Sequence, residues 1–258
     1  MSIAKSTLHS FRSGRWPTWL ILLVVILTVF NGLPFLAPLF MQLGWEVAGR
    51  AIYFIYGFLC HQMAQRSFFL FGPAGLQMYN IAGLPLQLSG LSEGARLLAL
   101  RNFIGNAQMG WKVAWSDRMV SMYTSPLLAA ILYGLMRTRI RIRPISMWMF
   151  GLFVLPLAID GLTHMLSDFA GIGQGFRDSN LWLAALTGNT LPDWFYSGDG
   201  LGSFNSWMRL FSGLAFGSGL IGLTLPTIDA VEDYYQSTRR THPAAPADNA
   251  PFTANARR

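Results

Sequence analysis

Residues 147–164 read MWMFGLFVLPLAIDGLTH, an uncharged apolar run that closes on a carboxylate, a hydroxyl and an imidazole. The run reads as a membrane-crossing helix. On such a helix Asp160, Thr163 and His164 stand at i, i+3 and i+4, so the three side chains share one face. An ionisable side chain at the end of an apolar span is expensive, and by default it marks a functional site. The plainer alternative is that Asp160 meets water at the interface and closes the helix.

Composition sets the class of protein around this run. Of 258 residues, 52% are hydrophobic and only 12% are charged, where a soluble domain carries about 25% charged residues. Several uncharged runs approach or exceed the roughly 20 residues that span a bilayer. The expected fold is an all-α, polytopic membrane helix bundle. Its net charge of +7 sits largely in arginines that flank apolar runs. That pattern points to membrane topology and anionic lipid, and away from nucleic acid. The single cysteine, Cys60, excludes an internal disulfide and any multi-cysteine zinc site.

About four full spans are predicted, near 17–41, 119–136, 145–166 and 207–228, with a short re-entrant or interfacial helix near 47–60. Residues 1–228 then form one integral membrane domain, and 229–258 a disordered cytoplasmic tail. Lys5, Arg12 and Arg15 precede the first span, and Trp16 and Trp19 stand at its mouth. A cleaved signal peptide would begin similarly, but Pro34 and Pro38 stand where a small-residue cleavage site belongs. Ala51–Cys60 is apolar but too short for a full crossing. Within 69–118, glycines and prolines break the first half, and the pattern from Ser92 to Ile104 predicts an amphipathic helix at the membrane surface. In the last span, Gly213, Gly217, Ser218 and Gly222 give small residues four apart, a surface for close helix packing.

Orientation follows from Arg137, Arg139, Arg141 and Arg143, four cations in one short loop between spans. Such a loop stays in the cytoplasm, here the cytoplasm beneath a plasma (inner) membrane. If the amino terminus lies there too, either zero or two crossings separate the first span from the second. The shortness of Ala51–Cys60 selects zero. Residues 61–118 and 165–206 are then outside, and His61, Arg66, Arg118, Asp160, Thr163, His164, Arg177 and Asn180 converge on one membrane face.

Cys60-His61-Gln62 with Arg66-Ser67, then Arg118 and Tyr123, then Pro156 to Thr163, then Arg177-Asp-Ser179-Asn180 and Thr187-Gly188 form an ordered set. Over roughly residues 55–225 this set resembles the small prokaryotic membrane proteins grouped as domain of unknown function 2085. The resemblance implies a membrane protein and names no biochemical activity. Members of that family carry a cysteine two residues before the arginine matching Arg118, where this chain has Ser116. A metal or disulfide role for such a cysteine pair therefore does not carry over. His164 also stands in place of a glutamine.

The candidate chemistry is anion binding or acid–base catalysis. Arg66, Arg118 and Arg177, with Thr163 and Asn180, are binding candidates for an anionic lipid headgroup, because a guanidinium grips phosphate or carboxylate with two donors. His61, Asp160 and His164 are the catalytic candidates: an imidazole exchanges protons near neutral pH, and Asp160 could orient one. Asp160 and His164 could also supply two corners of a metal site with His61 as a third, but no particular metal or cofactor is indicated. Each arginine has a plainer reading as an interfacial side chain or an ion-pair partner of Asp160. Three functions remain open: an enzyme acting on a headgroup, a lipid-binding protein or transporter, and a structural subunit with a membrane protein partner. Two expectations are independent of that choice. Asp160 pairs with at least one of Arg66, Arg118 and Arg177, and Cys60 is a buried thiol.

Overall fold

The computed structural model describes residues 15–241. Lys5, Arg12 and the part of the expected tail beyond Thr241 lie outside the described residues. Among the described residues four helices are long and apolar enough to cross a membrane. They are α1 (Thr18–Gln42), α4 (Asp117–Met136), α5 (Met147–Asp168) and α9 (Phe204–Thr241). Their outward faces are unmistakably apolar. Leu22, Val25, Ile26 and Val29 of α1, and Leu152, Leu155, Ile159 and Leu162 of α5, are all about half exposed or more. Contiguous apolar surface of that extent belongs against lipid or another membrane chain.

Between α1 and α4 lies a folded cap. It begins with α2 (Glu46–Tyr56), continues through strands β1 (Ser67–Gly72) and β2 (Gly75–Gln77), then α3 (Glu93–Asn102), and ends with β3 (Gly105–Asn106) and β4 (Gly110–Ser116). The strands form one antiparallel sheet in the order β2-β1-β4-β3. The all-α expectation is thus corrected: the protein is mostly helical with a small sheet. The reason is local. β4 (GWKVAWS) is short and buried on both faces over much of its length, and β1 (SFFLFG) is apolar from Phe68 to Phe71, so neither sequence shows the apolar–polar alternation that marks a half-buried strand. Turn chemistry completes the sheet. Gly72 pairs with Gly75 across Pro73-Ala74, and Asn106 Oδ1 accepts the amides of Gln108 and Met109 before Gly110. Gly110 has φ +85°, and a Cβ there would collide with the Leu70 carbonyl, so the turn requires glycine.

Helix α2, 11 residues long, measures about 16 Å, half of a bilayer's hydrocarbon core of about 30 Å. It turns back on α1, with Gly49 against Ala37 and Met41. Tyr53, Tyr56 and Cys60 pack with Val113, Ala114 and Trp115 of β4 in one buried cluster. The pattern from Ser92 to Ile104 forms a helix, α3, capped by Ser92, whose hydroxyl accepts the Ala95 amide. Past α5 come three short helices, α6 (Phe176–Ser179), α7 (Leu181–Leu186) and α8 (Asp193–Tyr196).

Helix α9 is the hub of the bundle. Gly213 and Gly217 lie so close to Ser121, Ser125 and Pro126 of α4 that a Cβ at either would clash. The close approach lets Ser121 Oγ donate to the Arg209 carbonyl at 2.9 Å and Ser125 Oγ to the Gly213 carbonyl at 2.8 Å. Small residues thus exchange side-chain bulk for backbone contact and interhelical hydrogen bonds. On another face Gly219 abuts Phe153 of α5.

The two ends of the bundle differ. At one end Trp16 packs over Gly134, Trp19 donates to Glu232 at 3.3 Å, and Arg137 grips Asp229 with two bonds of 2.9 and 3.0 Å. Tyr133 also donates to Asp229. This end gathers the start of α1, the four-arginine loop and the far part of α9. The cap, the start of α4, the end of α5 and the start of α9 gather at the other. Residues 229–241 of the expected tail continue α9 as helix, because Asp229 is buried by its partners Arg137 and Tyr133 and gives the chain no reason to leave the bundle.

Candidate functional site

At the cap end, charged side chains from six parts of the chain meet, most of them out of water. The start of α4 supplies Asp117 and Arg118, and the end of α5 supplies Asp160, His164 and Asp168. The cap contributes Arg66, from the turn before β1. Arg177 of α6, Asp199 from the loop before α9 and Arg209 of α9 complete the group.

Two branches can be traced. In the first, Asp160 accepts from Arg118 Nη2 and Arg177 Nη2, each at 2.8 Å. The expected pairing of Asp160 is therefore present, with two of the three arginines. Arg66 goes elsewhere. In this second branch it holds Asp168 with a two-pronged grip at 2.8 and 2.9 Å and donates through Nε to Asp199 at 2.9 Å. Arg209 donates to Asp199 and, at 2.9 Å, to Asp117. His164 joins the branches: its Nε2 lies 3.1 Å from Arg177 Nη2 and 3.3 Å from Arg209 Nη2. Facing two donors, Nε2 accepts and Nδ1 carries the proton.

The four arginines and four aspartates cancel, so the cluster is neutral with a neutral His164. Such balance is what lets charges stay buried, since each desolvated ion needs a partner. The electrostatics follow for the groups outside the spans. Burial by itself raises the Asp199 carboxyl, but Arg209 and Arg66 outweigh it and hold the group below the carboxylate range. Burial would lower Arg66, yet Asp199 and Asp168 raise it overall.

The remaining candidates divide. His61 stands at the surface, its Nδ1 accepting the Met63 amide at 3.1 Å. Its pKa is lowered, first by the protein around the ring and then by Arg66, Arg209 and Arg118. The ring is therefore neutral at physiological pH. Thr163 turns away from the cluster chemistry and donates to the Ile159 carbonyl of its own helix at 2.8 Å. Asn180 is fully buried in a left-handed conformation between α6 and α7, where it ties Arg177 O to Tyr196 O. It shapes the loop that delivers Arg177. Among the described residues no group of three histidine, cysteine or carboxylate side chains is placed to hold a metal, so His61, Asp160 and His164 do not form a coordination sphere.

Sequence reading missed Asp117, Asp168, Asp199 and Arg209. Arg209 carries the same signature as Asp160, an ionisable side chain just inside the mouth of an apolar span, and that signature was available.

Cys60 is buried, as expected, and accepts from the Gln62 and Ser116 amides at 3.3 and 3.4 Å. Its sulfur lies 3.5 Å from Ser116 Oγ. Those two positions are close enough for a bridge. A Ser116→Cys variant is expected to form a disulfide with Cys60 when expressed with the cap in an oxidising compartment. Intact mass before and after reduction checks it; two free thiols under oxidising conditions would contradict the placement.

An integral membrane protein with four candidate spans, a folded cap and a neutral ionic cluster beneath it is the class these features define. Residues 101–192 match the model of a family described as predicted membrane protein, DUF2085, which bears out the resemblance read from the sequence. An uncharacterised protein of Methanocaldococcus jannaschii is 24% identical over 178 residues, covering 67% of this chain and 86% of its own length. No solved structure matches the chain.

Proposed function

We propose that the protein binds an anionic headgroup at the extracytoplasmic face of the plasma membrane, at the open side of the ionic cluster. The observation that carries this reading is the state of Arg118. Its side chain is 22% exposed, while its partner Asp160 is 5% exposed. Arg118 spends only Nη2 on that carboxylate; its Nε is enclosed without a partner, and its Nη1 makes no hydrogen bond among the described residues. A guanidinium so placed has donors left for a phosphate. Arg66, Arg177 and Arg209 are committed to carboxylates in the interior and support Arg118 rather than compete with it.

The four arginines of 137–143 at the opposite end support placing the cap outside. Binding is favoured over acid–base chemistry here: the surrounding protein and then Arg66 depress the His61 imidazole into a weak base, Asp160 is held by two arginines, and His164 is enclosed between Arg177 and Arg209. The test is lipid analysis of protein purified in mild detergent. Wild type is expected to carry anionic phospholipid, and Arg118→Gln to carry several-fold less at equal abundance. Equal lipid in both would overturn the reading.

A second reading, a structural subunit of a larger membrane complex, draws on α5. Only Asp160, His164 and Ser167 of this span are buried. Much of its remaining surface is free to meet a partner helix. Under this reading the native particle is larger than a lipid-bound monomer, and bulky polar substitutions at Leu155 or Leu162 reduce its size.

A further inference from the structure

A second positively charged site lies in the cap, apart from the ionic cluster. A cavity of about 260 Å³ opens between α2 and α3, lined by Arg50, Tyr53, Gln62, Arg101, Asn102 and Ile104. Among the described residues no carboxylate lines it. Arg50 makes a loose 3.5 Å pair with Glu46 on the exposed face of α2. Arg101 spends Nη2 on the Gly57 carbonyl at 2.8 Å and has no ion-pair partner among the described residues.

Behind the wall stands a third basic side chain. Lys112 of β4 is completely buried, and its Nζ donates to the carbonyls of two lining residues, Gln62 and Arg101, at 2.7 and 2.5 Å. A buried ammonium held only by carbonyls is unusual, because burial of a charge is normally answered by an opposite charge. Here burial is the main influence, and it brings the Lys112 pKa down to about 7. An anion in the cavity would reverse that.

The surroundings say what kind of anion. Val47, Phe54, Ile55 and Phe58 of the α2 segment are 58–85% exposed. Positions 47, 50, 54 and 58 fall on one side of the helix, so Arg50 lies within an apolar stripe. α2 packs back against the last turns of α1, so this stripe lies level with the end of a candidate span. An arginine beside apolar side chains at that depth matches a phosphate on top of acyl chains.

We infer that the cavity between α2 and α3 is a binding site for the phosphate of an anionic phospholipid, held by Arg50 and Arg101 in front of Lys112, with the acyl chains lying along the exposed face of α2. The inference stands independently of Arg118, which lies in the other site.

Native mass spectrometry of the full-length protein in mild detergent tests it, using phosphatidylglycerol, phosphatidylcholine and inorganic phosphate as separate titrants. Phosphatidylglycerol is expected to bind the wild type most tightly. Arg50→Gln and Arg101→Gln should each weaken it about tenfold, and the double variant further. Each substitution is also made in an Arg118→Gln background, where the phosphatidylglycerol that still binds should weaken with Arg50→Gln, which keeps failure here distinct from failure of the Arg118 reading. Arg50 is exposed, so its variant stays informative even if Arg101→Gln disturbs the fold through Gly57. Unchanged phosphatidylglycerol binding in Arg50→Gln would overturn the site. Equal binding of phosphatidylcholine would overturn its anion selectivity. Tight inorganic phosphate binding with no preference for the lipid would overturn the lipid assignment.

Discussion

Asp160→Ala is expected to lose about 3–5 kcal/mol of stability, because it leaves buried cations without their counter-charge. The geometry explains why the effect falls at the top of that range. Asp160 answers two arginines at once, each through a 2.8 Å bond, and is itself only 5% exposed. Its loss strands Arg177 within the bundle and frees Arg118 at the surface, so the neutral cluster becomes positive. Asp160→Asn keeps the shape and one acceptor oxygen and is expected to be milder, though it too leaves a net positive charge. Thermal unfolding in detergent, together with the amount of protein recovered from membranes, measures both. An Asp160→Ala protein as stable and abundant as wild type would refute the clamp.

The partnership of Asp160 was readable in advance because one physical demand dictated it. A carboxylate at the end of an apolar span is desolvated and needs a cation, and the topology brought three arginines to its side. Which arginines would come was not readable. Arg66 is claimed by Asp168 and Asp199, and Asp199 arrives on a glycine-flanked loop whose path no helical period foretells. The spans were legible for the same kind of reason, since length and apolarity decide them. The cap was not. A window tuned to spans and helical periods passes over β1 and β4, which are short and lack alternation. The Lys112 ammonium was equally hidden, since a lysine in a seven-residue strand looks solvent-facing until the fold encloses it. At the opposite end, the four-arginine loop was assigned a topological role alone. Arg137 turns out to hold Asp229, so one of the four also fastens α4 to α9.

The second large effect belongs to Arg209. Arg209→Gln is expected to cost about 3–5 kcal/mol, since the side chain is fully buried and serves two carboxylates, Asp117 and Asp199. The two are not equally harmed. Asp199 retains the Arg66 guanidinium at 2.9 Å, whereas Asp117 keeps only the Arg118 amide at 2.7 Å among the described residues. Most of the penalty therefore arises at Asp117, and removing that charge should relieve it. Asp117→Asn alone is expected to cost less than Arg209→Gln, because Arg209 still has Asp199. In the double variant the stranded carboxylate is gone, so the combined loss should fall short of the sum by about 1 kcal/mol or more, a coupling in the range found for contacting residues. Unfolding free energies of the four proteins, measured under one set of detergent conditions, give that coupling directly. Strict additivity would mean that the bond between α4 and α9 contributes nothing of its own. Stability would then have to come from the glycine–serine contacts deeper in the bundle, and the cap-end ions would be free to serve a ligand.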